Sequence, residues 1–186
     1  MKRLISAVAI AMIAAGPALA GPLKLKPANP QPSGLTQGLA VSYAYPSDVK
    51  TLAQAKKHLK RAKLGKPLSG LDYLDMINGK RTLTSKKAHH VVAGISGYVK
   101  FDTTGTYVID FLSNDGLQAS IGGKEVVFFD GRHPCEESEA VEVSVPKAGW
   151  YDLKATYFQR TGTACLHMRA GIGEADWMPN SAFGYK

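Results

Sequence analysis

FDTTGTYVIDFLSNDGLQASIGGKEVVFF, residues Phe101 to Phe129, decides the fold. Tyr107, Ile109 and Phe111 fall at alternate positions, the spacing that lines one buried face of a strand. Asn114-Asp115-Gly116 interrupts the run, and Leu117, Ala119 and Ile121 resume it. Gly122-Gly123 is a two-residue turn signal, because glycine accepts positive φ at both central positions. Val126 to Phe129 form a third, apolar strand. The stretch reads as a β-meander of three strands with an acidic elbow at Asp115.

Strand signals continue on both sides. Val91, Val92, Ile95, Val99 and Phe101 give strand character to Thr82–Phe101. Val141, Val143 and Val145 alternate with Glu142 and Ser144, as in a half-buried strand. Tyr151, Leu153, Ala155 and Tyr157 line one strand face, and Ala164, Leu166, Met168 and Ala170 line the last core strand. One segment changes period. Ser47 suits an N-cap and Asp48 a first turn; Val49, Leu52, Ala53, Leu59 and Ala62 recur at helical spacing; Gly65 and Pro67 end the run. The opposite face carries Lys50, Lys56, Lys57, Lys60, Arg61 and Lys63. That face can meet an anionic surface or polymer, but the simpler reading is a surface helix packed on the sheets with a solvated basic side. Leu68 to Arg81 shows no clean period, with a turn signal at Asn78-Gly79. The fold class predicted is all-β with one amphipathic surface helix.

The ends have their own character. Lys2 and Arg3, the apolar run Leu4 to Ala15 and the small-residue site Ala18-Leu19-Ala20 predict a secretory signal peptide over residues 1–20. The apolar run is short for a span, and no later stretch is long and apolar enough to cross a bilayer. The expectation is a periplasmic or secreted protein with no transmembrane segment after cleavage. Pro22, Pro27, Pro30 and Pro32 make residues 21–37 an extended Pro-rich arm, expected to be partly disordered. Residues 38–186 are left as one domain. The formal net charge is +8, of which Lys2 and Arg3 supply two. A moderately basic balance bears on solubility and encounter and names no partner; nothing implies nucleic acid. An even cysteine count in an exported chain predicts a Cys135–Cys165 disulfide. The rival is a reactive thiol or metal ligand beside His133 or His167, but no metal-type cysteine spacing accompanies them. His89 and His90 are adjacent on a strand pattern and point to opposite faces, a poor chelate.

The chain resembles the PA14 domain, a β-sandwich found in glycosidases, yeast adhesins and a bacterial toxin subunit. The order that carries the resemblance is the Gly105-Thr106-Tyr107 strand, the Asn114-Asp115-Gly116 elbow, the Gly122-Gly123 turn and the apolar strand after it. Gly149-Trp150-Tyr151, Tyr157-Phe158-Gln159 and Gly162-Thr163-Ala164 are similar to the family's C-terminal half. Trp177 to Phe183 looks like its closing strand, and Gly38-Leu39 like its opening. The resemblance spans Gly38 to Tyr185. The family's elbow is usually Asp-Asp-Gly, and Asn114 stands at the first position here.

That resemblance implies a sugar site. In sugar-binding members the two residues before the elbow glycine hold Ca²⁺ and sugar together, which carries onto Asn114 and Asp115 as metal and carbohydrate ligands. Replacing one carboxylate with the Asn114 amide weakens Ca²⁺. A plain β-turn, sugar binding without metal and sugar binding with Ca²⁺ all remain open. The polar loop DGRHPCEES, Asp130 to Ser138, can flank the same edge, with Asp130 and Arg132 meeting a glycan; a solvated loop braced by Cys135 is its plainer reading.

There is no Gly-x-Ser-x-Gly elbow and no phosphate loop, and adjacent acids such as Glu136-Glu137 in an open loop do not form a glycosidase pair. The expectation is therefore not an enzyme. It is a non-enzymatic module binding a glycan or cell-wall polysaccharide through Asn114, Asp115, Gly116, Asp130 and Arg132. The alternative is a structural or protein-binding module of the cell envelope, meeting its protein partner through the arm or helix. On the first reading, Asp115→Ala removes glycan binding with little loss of stability.

Overall fold

The structure, a computed structural model, describes residues 21–186. The expected signal peptide lies outside the described residues. The principal elements are β1 (Ala40–Ala44), α1 (Leu52–Leu59), β2 (Val91–Phe101), β3 (Gly105–Asn114), β4 (Leu117–Ile121), β5 (Lys124–Phe129), β6 (Val141–Val145), β7 (Gly149–Gln159) and β8 (Cys165–Ile172). Two sheets face each other. In one, β3 lies between β6 and β8, antiparallel to both. In the other, β1 pairs with β2, β2 with β7, β7 with β4, and β4 with β5, all antiparallel. The core between them is aromatic and aliphatic. Phe101 packs edge-on against Tyr107 at 4.9 Å and Tyr151 at 5.4 Å, above buried Ile109, Phe111, Leu166 and Met168. The all-β sandwich with one helix is thus present.

The meander is not. β3 does not pair with β4; the two belong to opposite sheets. Alternation correctly marks both strands, but it carries no information on which strand is the partner. Asn114-Asp115-Gly116 is therefore a crossing between layers rather than a hairpin turn, and all three residues are buried. Gly122-Gly123 is a hairpin turn, with φ of 54° and 75° joining β4 to β5. The crossing is held to β7 by two backbone bonds, Asp115 N–H to the Phe158 carbonyl and Phe158 N–H to the Gly116 carbonyl, each 3.0 Å. A Cβ on Gly116 would lie 2.3 Å from Cε1 of the fully buried Phe158. Gly116→Ala is expected to destabilise by about 1–3 kcal/mol through overpacking, read as a lower urea midpoint; an unchanged midpoint would refute this close approach.

Three other segments depart from expectation. The helix covers only Leu52–Leu59, with Thr51 rather than Ser47 as N-cap, its hydroxyl accepting from Gln54 N–H at 3.3 Å. Its inner face, Leu52 and Ala55, joins Val49, Val92 and Phe158 in a second small core. The strand expected over Thr82–Phe101 starts at Val91. The Pro-rich arm is not loose. Leu23–Lys24 runs parallel to β6, Leu25 is buried, and Gln31 bonds both the N–H and the carbonyl of Trp150. Proline forbids helix but not an extended strand edge, and the buried Leu25 and Ala28 give the arm a reason to stay. Among the described residues no helix is long and apolar enough to cross a membrane.

Candidate functional site

The crossing gathers three loops at one end of the sandwich, and Asp115 is the tie. Its Oδ1 accepts from the backbone N–H of His133 at 3.2 Å, and its Oδ2 from that of Arg160 at 2.7 Å. The carboxyl thus joins the 130–138 loop to the β7–β8 turn. Burial pushes its pKa up; the two backbone donors and the charges of His133 and Arg132 oppose the rise. Asn114 is fixed as firmly. Its carbonyl accepts from the buried Tyr157 hydroxyl, and its Nδ2 donates to Thr163 Oγ1 at 3.1 Å. Its Oδ1 is buried without a partner. Cys165 sits opposite Asn114 in the β3–β8 register and is bonded to Cys135, so the disulfide clamps the loop beside the crossing.

The loop itself is built on Phe129. His133 stacks on that ring at 3.8 Å, with Nδ1 3.0 Å from the Pro134 carbonyl and 3.7 Å from Glu136. Asp130 has another task. Its Oδ1 accepts from Leu52 N–H and from Gly131 N–H, both at 2.7 Å, so it caps the start of α1. Arg132 is exposed and has no hydrogen bond or ion pair among the described residues. On the other flank Arg160 Nε donates to Asp48 at 2.7 Å, and this bond to Arg160 is the main reason the Asp48 pKa is lowered.

Of the sequence-derived candidates, Asn114, Asp115 and Gly116 come together but lie buried as framework. Asp130 is spent on the helix, and Arg132 alone stands free beside them. His133, Arg160, Thr163 and Phe158 complete the arrangement. His133 and the Arg160-to-Thr163 turn are visible in the sequence as loop residues, but nothing in their types signals that the amides of His133 and Arg160 meet Asp115, 18 and 45 positions away.

Taken alone, the elbow residues supply fewer charged oxygens than a Ca²⁺ centre takes. Such a centre needs six to eight oxygens, several of them charged. The Asn114 oxygen is free but neutral, and Asp115, the one carboxylate of the elbow, accepts a single N–H at each oxygen. Among the described residues the one group of three candidate ligands is Asp75, Cys135 and Cys165, whose sulfurs are consumed in the disulfide.

A family model described as "PA14 domain" matches residues 79–181. Solved structures resemble the chain at low identity. The PA14 domain of MpAFP antifreeze protein is 12% identical with a TM-score of 0.69, covering 83% of this chain and 93% of that one. A PA14 sugar-binding domain from an RTX adhesin is 14% identical with a TM-score of 0.64, over 81% and 99%. The Epithelial Adhesin 9 A domain from Candida glabrata, in complex with Galb1-3GlcNAc, is 13% identical with a TM-score of 0.64, over 88% and 95%. No curated protein matches the chain.

Proposed function

The chain belongs to the PA14 domain family, and from that membership we propose that it is a non-enzymatic carbohydrate-binding module of the periplasm or secreted space. The observation that carries the reading is the tying of three loops to Asp115 at one end of the sandwich, with Arg132 free beside them. A guanidinium presents several donors in a fixed plane, which suits paired sugar hydroxyl and ring oxygens. Asp115, Asn114 and Gly116 act by holding the loops in place, and Arg132 makes the direct contact. Solved relatives that carry a galactoside or are described as sugar-binding support the ligand class. The disulfide accords with an oxidising compartment.

The test is a glycan array on the purified protein, with Ca²⁺ and with EDTA. Binding is expected in both buffers, because the elbow offers a single carboxylate, Asp115, beside the neutral Asn114. Arg132→Ala is expected to weaken the best glycan by about tenfold, near 1.4 kcal/mol, with an unchanged melting temperature. Loss of binding in EDTA would overturn the metal-free reading. Silence on the array in both buffers would overturn sugar binding itself and favour an envelope scaffold that meets protein partners.

A further inference from the structure

The net positive charge of the described chain sits in one segment. Residues 49–71 hold seven Lys or Arg and no acid, while the rest of the described chain holds fourteen Lys or Arg against fifteen Asp or Glu. The fold gives part of this charge a shape. A trough of about 650 Å³ runs between the end of β1 and the C-terminal turn of α1, lined by Tyr43, Tyr45, Lys57, Lys60, Arg61 and Lys63 among others. No acidic residue lines it. Among the described residues none of these four cations has an ion pair, whereas the basic residue at the helix start, Lys50, is 3.4 Å from Asp48.

The floor stays neutral and firm. Tyr43 donates to or accepts from Thr84 Oγ1 at 2.8 Å, and burial pushes its hydroxyl up to about 12, so it adds no negative charge. Tyr45 stacks with Tyr43 at 6.2 Å, and Lys87 Nζ lies 5.5 Å from the Tyr45 ring centre, adding a further cation at the rim. Four cations held near one another in a concave site raise the local potential and draw in polyanions.

We propose that this trough binds an acidic polysaccharide, a chain of sugars bearing carboxylate, sulfate or phosphate groups, at a site separate from the Arg132 end. Two alternatives fit the surface less well. A helix that lies on a bilayer needs an apolar face turned toward lipid. Here Leu52 and Ala55 face inward onto Val92 and Phe158, leaving Leu64 as the large apolar side chain exposed on this stretch. Single-stranded nucleic acid needs free aromatic faces for its bases. Tyr43 is buried, and Tyr45 already has Tyr43 and Lys87 as ring neighbours. A concave row of exposed cations without acidic neighbours matches the repeated anionic groups of an acidic polysaccharide.

The probe is polygalacturonate, compared with its full methyl ester, which keeps the backbone and loses the charge. The purified protein is expected to bind the acid and not the ester, with affinity falling steeply as salt rises. Lys57→Glu with Arg61→Glu is expected to weaken binding by about tenfold or more, while Lys124→Glu with Lys147→Glu, which makes the same change in net charge elsewhere, changes it by less than about twofold. Equal loss in both pairs would overturn the site, leaving only net charge. So would equal binding of the ester, absence of binding to the acid, or tighter binding to phosphatidylglycerol vesicles or a DNA oligonucleotide. Neutral-glycan binding by the Lys57→Glu, Arg61→Glu variant reports the Arg132 end separately, so the failure of either site is distinguishable from failure of the other.

Discussion

Asp115→Ala is expected to lower the stability of the fold by about 2–4 kcal/mol and to remove glycan binding as a consequence. The carboxyl makes no ion pair among the described residues, so its worth lies in the two backbone N–H groups it satisfies, those of His133 and Arg160. Truncation strands both in partly buried positions, and each stranded donor costs roughly 1–3 kcal/mol, the lower end applying where water can reach. Asp115→Asn keeps one acceptor oxygen and turns an NH₂ toward the other donor, so about half the loss is expected. The titration of the carboxyl runs in the opposite sense. Its folded pKa is raised by burial, so the folded state holds the proton more tightly than the unfolded one. Stability from this group is therefore fullest below the ordinary carboxyl value and declines as pH rises through the raised folded value. The gap between wild type and Asp115→Ala should be narrower at pH 7 than at pH 4. Urea titrations at both pH values read all three expectations. A variant with full stability and no glycan binding would restore Asp115 as a direct ligand and sink its role as a tie.

The strands were largely legible because alternation is a local signal. Tyr107, Ile109 and Phe111 had to share a face whatever lay opposite. Layer assignment was not legible, since β3 and β4 carry the same pattern whether they pair or part. The Asn-Asp-Gly elbow shows why. A turn former marks where the chain bends, and only the fit of Gly116 against Phe158 decides that it bends between sheets. The same limit applies to the site. Asp115 and Arg132 stood out by type, but a buried carboxylate that receives two backbone amides looks in sequence like an exposed ligand. Asp130 likewise has a structural bond invisible in the sequence, accepted from the Leu52 amide 78 positions away. The basic helix face was plain in the sequence. The trough beneath it was not, because β1 and the residue after it bring Tyr43 and Tyr45 there from outside the helical period.

Removing the disulfide should produce a loss of similar size by a different route. Cys135→Ser with Cys165→Ala opens a link between residues 30 apart. On the loop-entropy account that loss is about 3–4 kcal/mol, acting mainly by freeing the unfolded chain. For a domain of this size the melting temperature should fall by roughly 6–16 °C. Because the unfolded state expands, the urea m-value should rise as the midpoint falls, whereas Asp115→Ala should move the midpoint alone. The folded loop keeps other ties. Ser138 N–H still donates to the Phe111 carbonyl at 2.8 Å, and Glu136 and Glu137 still pair with β3. These bonds fix its far end; the near end, around Arg132, is held by the disulfide together with the His133 amide bond to Asp115, the stacking of His133 on Phe129 and the Asp130 bond to Leu52 N–H. Glycan affinity should therefore fall in the cysteine-free protein even at temperatures where it remains fully folded, and adding Arg132→Ala to it should weaken binding by less than Arg132→Ala does alone. If the two changes instead multiply in full, Arg132 is positioned independently of the loop clamp, and the account of this end as one tied unit fails.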